Sequence, residues 1–292
     1  MAPSLPQIAP RAERFAIIMA MRLRALLVVA AATLIWGCGD SDAQDGVTVE
    51  RDVPYLGPGG PALDVYRSAE GSGRPAVLAI HGGAWVAGDK GDVAPTAPAL
   101  ARAGFVVFAV GYDLAGPGRA GFPRQLHQVR AATRFVRRNA GRYGVDRRRV
   151  GALGISAGAH LAALAGTTGR GPLTRGARLG AVVSWSGPFD LRPPRLRALE
   201  REISWFLGCR GCPRRAARAS PVVHVSADDP PALIVNSAEE LIPARQARRM
   251  TRRLRAAGVP GRLLLLPGTL HAPLFEPLAI GPTVRFLRRQ LG

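Results

Sequence analysis

The chain is poor in lysine, aromatic residues, cysteine and acid. Lys90 is the single lysine, so 40 basic residues are almost all arginines, set against 20 acidic ones for a formal charge of +20. Aromatics make up only 6%. The arginines are spread along the chain and form no stripe with interleaved aromatics, so a nucleic-acid-binding face is not expected. A basic surface still suits anionic membranes or acidic polymers. Cys209-Arg210-Gly211-Cys212 has no second Cys-x-x-Cys to complete a zinc site, so no metal is expected. The chain also lacks a long apolar run near its start. The stretch 25–36 is about 12 residues, short of the roughly 20 that span a bilayer.

What is present reads as globular. The 292 residues are 47% hydrophobic, enough for one large α/β domain with a substantial core. Residues 22–38 combine a basic start, the short apolar run and a small residue before Cys38, the layout of an export signal. Met19 or Met21 would make a natural initiator for it. Ile35-Trp36-Gly37-Cys38 resembles a bacterial lipobox, in which Cys38 would carry lipid and attach the chain to a membrane. Trp36 is bulky for that site, and an ordinary cleaved signal is the alternative. The expected address is the cell envelope, or otherwise secretion or the periplasm. Residues 39–46 then form a polar tether, and the catalytic domain spans 47–292. Export makes Cys209 and Cys212 a candidate small-loop disulfide. Without export, a redox-active pair is the rival reading.

From residue 47 onward, apolar strand-like runs alternate with helical segments. Strands are expected at 47–50, 62–66, 75–80, 105–110, 150–153, 181–185, 232–236 and 262–266. Helices are expected at 123–140, 156–165, 244–257 and 282–290. This alternation implies an α/β fold with a mostly parallel sheet covered on both faces. Residues 188–230, rich in proline and arginine, break the rhythm and read as a cap-like excursion.

Gly154-Ile155-Ser156-Ala157-Gly158 follows an expected strand and opens an expected helix. A turn this sharp needs small flanking residues, and it lifts a serine hydroxyl to a helix N-terminus, where negative charge is stabilised. The competing role for Ser156 is a plain helix N-cap. A serine nucleophile needs a base. His271 sits just past the strand at 262–266, at the sheet edge that also carries Ser156, and is preferred over His81, His127, His160 and His224. The acid that orients it is expected between them in sequence, after another strand. Glu239 and Glu240 both lie there. His81-Gly82-Gly83-Ala84-Trp85 follows the strand at 75–80, and the amides of this loop and of Ala157 could bind an oxyanion. Trp85 either lines the pocket or packs in the core.

With those motifs in that order, the chain resembles the α/β-hydrolase serine esterases with a His-Gly-Gly oxyanion motif, the branch of carboxylesterases, lipases and feruloyl-esterase-like enzymes. Gly111-Tyr112-Asp113-Leu114, Phe122-Pro123 and Ser186-Gly187-Pro188-Phe189-Asp190 match its other landmarks. The resemblance implies Ser156 as nucleophile, His271 as base, Gly82, Gly83 and Ala157 as oxyanion donors, and an ester substrate with no cofactor. It departs from the pattern at Asn236-Ser237, which replaces the usual His-Gly turn, and in carrying glutamate for the usual aspartate. Counting back from Pro243 favours Glu239, counting forward from Asn236 favours Glu240, and Glu239 is the preferred acid. The alternatives are an amidase or peptidase on the same triad, such as an arylformamidase, or a surface-anchored binding protein that has lost catalysis. Acyl and alcohol preference and oligomeric state are not encoded in any motif.

Overall fold

The computed structural model describes residues 46–68, 71–193 and 196–292. The expected export signal, Cys38 and the expected tether up to residue 45 lie outside the described residues. Eight strands form one sheet in the order β1-β2-β4-β3-β5-β6-β7-β8. They are β1 (Val47–Pro54), β2 (Ala62–Ser68), β3 (Arg74–Ile80), β4 (Val106–Val110), β5 (Val145–Ile155), β6 (Val182–Trp185), β7 (Ala232–Ser237) and β8 (Gly261–Leu266). β1 and β2 pair antiparallel, and β2 pairs antiparallel with β4. From β4 to β8 every pairing is parallel.

The central strands carry buried apolar runs because both of their faces are covered. Along β3, Ala76, Leu78 and Ile80 enter one core while Val77 and Ala79 enter the other. This is the two-residue alternation of a pleated strand used on both sides. The first face is covered by α2 (Arg124–Arg138), α3 (Ala157–Thr167) and α7 (Ala244–Ala256), through residues such as Val129, Leu161 and Met250. The second is covered by α1 (Ala97–Arg102) and α8 (Glu276–Leu291), through Leu100, Phe286 and Leu287. On α7 the buried Ala247, Met250, Thr251 and Leu254 recur every three or four residues, and arginines fill the other side.

The last helix starts earlier than expected. A helix is expected over 282–290, yet α8 begins at Glu276 and runs through Pro282. Pro277 occupies the first turn instead, where a missing N–H costs nothing. The excursion after β6 forms three short helices, α4 (Glu200–Leu207), α5 (Pro213–Arg218) and α6 (Pro221–His224). Cys209 and Cys212 are joined by a disulfide between α4 and α5. Phe206 of α4 stacks on Trp85 at 4.7 Å, which fastens the excursion to the loop after β3. Among the described residues, no helix is long and apolar enough to cross a membrane.

Candidate active site

β5 ends in the turn that carries Ser156, whose backbone adopts φ 53° and ψ −111°. Positive φ is strained for a side-chain-bearing residue and persists only where the surroundings enforce it. Here the enforcement is steric. A Cβ on Gly154 would lie 2.2 Å from the Gly158 carbonyl oxygen, and one on Gly158 would lie 2.0 Å from that of Ile80. Only glycine lets the turn fold back on itself and against β3. The Ser156 amide donates to the Trp185 carbonyl at 2.8 Å, which locks the turn to β6. The Ser156 hydroxyl makes no capping bond to α3. Its partner is His271, with Nε2 3.0 Å from Oγ.

His271 stands in the loop after β8, and its Nδ1–H donates to the carboxylate of Glu240. The Glu240 side chain is fully buried. Its other oxygen accepts from the Ser186 hydroxyl at 2.7 Å and from the Ser237 amide at 3.3 Å. The carboxylate is thus satisfied on both oxygens, as a buried charge must be. Ser186 also accepts from the Ala272 amide at 3.1 Å, so one hydroxyl ties the acid to the loop that bears the base.

The preferred acid Glu239 is therefore corrected to Glu240. Glu239 has an exposed side chain and uses only its amide here, donating to Gly268 at 3.1 Å. The cause lies in how the loop leaves β7. Asn236 Nδ2 donates to the Ser237 and Ile242 carbonyls at 2.8 and 3.0 Å, closing residues 236–242 into a compact turn. Within that turn the fourth residue past Asn236 points inward and the third points outward.

The loop after β3 lies against Ser156. A Cβ on Gly82 would fall 3.4 Å from that of Ser156. Gly83 has φ +94°, and a Cβ there would meet the Ala87 carbonyl oxygen at 1.9 Å. Two side chains hold the loop. Tyr112 donates its hydroxyl to the His81 and Gly82 carbonyls at 3.1 and 3.0 Å. The His81 ring stacks on Tyr112 at 4.1 Å, and its Nδ1 lies 2.9 Å from the Gly82 carbonyl. Burial pushes the Tyr112 phenol well above its ordinary range, with the Asp92 charge adding to it, so the ring stays a neutral donor. With the carbonyls engaged in this way, the amides of Gly82, Gly83 and Ala157 have no acceptor among the described residues. They are available to a developing negative charge beside Ser156.

Trp85 does not line a pocket. It is fully buried, and its Nε1–H donates to His160 Nδ1 at 3.2 Å. That bond leaves the His160 proton on Nε2, facing the Ala219 carbonyl at 2.7 Å. Burial lowers the His160 pKa to about 4, so the ring is a neutral bridge between α3 and the excursion. His127 is an exposed residue of α2, and His224 lies in α6. Sequence reasoning missed what Ser186, Ser237 and Tyr112 do. The one available signal was position, since Ser186 and Ser237 stand at the carboxyl ends of β6 and β7, where sites on parallel sheets gather. Among the described residues, no group of histidine, cysteine or acid side chains is arranged to hold a metal ion.

Comparisons with known proteins place the chain among hydrolases of this fold. The family model BD-FAE matches residues 63–254. Esterase LipC of Mycobacterium tuberculosis is 33% identical over 76% of this chain and 59% of its own length. The chain spans only 51–59% of the length of the first three curated relatives that it matches. Kynurenine formamidase of Danio rerio is 28% identical over 82% of this chain and 80% of its own. A solved truncated carbohydrate esterase from gut microbiota superposes with a TM-score of 0.75 at 25% identity, covering 86% of this chain and 99% of that one.

Proposed function

The chain belongs to the BD-FAE family, and from that membership and the contacts at Ser156 we propose that it hydrolyses carboxylic esters through an acyl-enzyme. One observation carries this reading: Ser156 Oγ sits 3.0 Å from His271 Nε2, and the other ring nitrogen is held by buried Glu240. Ser156 Oγ attacks the ester carbonyl and passes its proton to His271 Nε2. Glu240 keeps the imidazole oriented and stabilises it once charged. The oxyanion accepts from the amides of Gly82, Gly83 and Ala157. Collapse breaks the carbon–alkoxy bond, and His271 returns the proton to the leaving alcohol. Water, deprotonated by the same ring, then releases the acid. Ser156→Ala should reduce turnover of p-nitrophenyl acetate to background while the circular dichroism spectrum stays unchanged. A fluorophosphonate probe should label the parent chain and not the variant. Retained turnover in Ser156→Ala overturns the assignment.

A second reading has a specific observation behind it. The match to kynurenine formamidase spans four fifths of both chains, and hydrolysis of an aryl formamide would use the same serine, base and donors. Turnover of an N-formyl arylamine that outpaces every ester in an acyl panel would move the substrate from ester to amide.

We also infer that the chain is exported, with residues 1–38 as the address and Cys38 as the lipid-bearing residue. The Cys209–Cys212 disulfide supports export, because such bonds persist in oxidising compartments. Metabolic labelling with an alkynyl fatty acid should mark the parent chain and spare Cys38→Ser. No label on the parent removes the lipid.

A further inference from the structure

The residues around the site do more than frame it. Four leucines on its rim are exposed: Leu241, Leu270, Leu274 (68% exposed) and Leu278. Leu241 follows Glu240, and Leu270 precedes His271. The two loops are stitched together, since Ser237 Oγ donates to the Leu270 carbonyl at 2.6 Å and the Glu239 amide to Gly268 at 3.1 Å. The Leu274 amide donates to the His271 carbonyl at 2.9 Å, and Leu278 stands one turn further on, at the start of α8. Exposed leucines scattered singly mean little, but a group carried by the loops that bear Glu240 and His271 marks a contact surface.

Positive charge begins four residues after Leu241. α7 begins three residues after Leu241, and Arg245, Arg248, Arg252 and Arg253 are exposed along it. None of the four makes an ion pair or hydrogen bond with another described residue. Arg245, Arg248 and Arg252 are spaced by three and four and share a side of the helix. Arg249 is neutralised by Asp190 at 2.7 Å, and Glu239 is an exposed carboxylate on the rim, so the unpaired arginines outnumber the acid near them.

We propose that the leucine rim and the arginine side of α7 together dock the protein on an anionic lipid surface, with the mouth of the Ser156 site turned toward the lipid. The pairing of features selects this partner. Arginines alone would suit any polyanion, but nucleic acids and acidic polysaccharides offer nothing to four exposed leucines. An anionic lipid interface takes both, with apolar side chains entering the headgroup boundary and guanidinium groups meeting the phosphates. The chain's net charge of +20 adds long-range attraction to the same partner.

The test is co-sedimentation of the full chain with phosphatidylcholine vesicles, with and without added phosphatidylglycerol. It is read as binding, in both the Ser156 and Ser156→Ala backgrounds, so the outcome does not depend on ester hydrolysis. Two variants carry the comparison: Leu274→Ser with Leu278→Ser, and Arg245→Gln with Arg248→Gln and Arg252→Gln. Each should weaken binding to the anionic vesicles by about tenfold or more, and raised salt should weaken the parent and spare the arginine variant. Unchanged urea midpoints confirm that both variants fold. Parent-like binding by either variant overturns the proposal. Loss in the arginine variant alone, with the parent displaced equally by heparin, overturns it in favour of a general polyanion site.

Discussion

The turn that carries Ser156 and the turn that carries Glu240 both end parallel strands, yet different forces hold them. The serine turn is set by hard contacts, with Gly154 and Gly158 pressed against carbonyl oxygens that no Cβ could approach. The acid turn has no such constraint and is set by a web of hydrogen bonds among Asn236, Ser237, Ser186 and Glu240. Sterics tolerate no substitution and leave a readable pattern. A hydrogen-bond web can be built from several residue combinations, and this chain uses one without the usual His-Gly turn.

The sharpest break in that contrast is at the carboxylates. Glu240→Gln should lower kcat for p-nitrophenyl acetate by about 10³–10⁴-fold, since an amide at that position favours the wrong imidazole tautomer. Glu239→Gln should change it by less than about twofold. Equal losses in the two variants would mean that the acid turn is not held as described. On the serine side, Gly158→Ala should destabilise the fold by about 3 kcal/mol or more in urea unfolding, because its Cβ meets the backbone of Ile80. A near-neutral result would show that the turn can relax.

His160, one turn into α3, makes the serine side sensitive to acid. Its unfolded imidazole takes up a proton near pH 6.5, and its buried form does so only near pH 4. The unfolded state therefore binds more protons between those values, and stability should fall by about 3 kcal/mol as pH drops from 6.5 to 4. Thermal melts of the parent and of His160→Gln across that range check it, since the variant should lose this part of the slope. A milder loss belongs to the acid side. Ser186→Ala removes one hydroxyl that links Glu240 to Ala272, and should lower kcat about tenfold with a shifted acidic limb in the pH profile. An unshifted profile would make Ser186 merely structural.

Much of the fold was legible because its rules are local. All eight strands of the sheet begin or end within a few residues of runs visible in the sequence, most clearly the fully buried β4 and β6, since a strand covered on both faces reads as a near-continuous apolar run. α8 begins six residues before the expected start, and Ala279, buried ahead of Pro282, belongs to the part of the helix that the sequence did not mark. Trp85 was undecided for a similar reason. An aromatic beside a glycine loop can face the pocket or the core, and its choice rests on Phe206 and His160, both distant in sequence.

The amino-acid sequence by itself determined the sheet, the turn at Ser156 and the histidine that faces it. Each of these depends on spacing, on glycine where a Cβ would clash, or on position at a strand end. Only the tertiary structure decided between Glu239 and Glu240. Neighbouring carboxylates have the same chemistry and almost the same place in the chain. What separates them is which one the turn closed by Asn236 aims at Ser186 and His271, partners that lie 54 and 31 positions away in the chain.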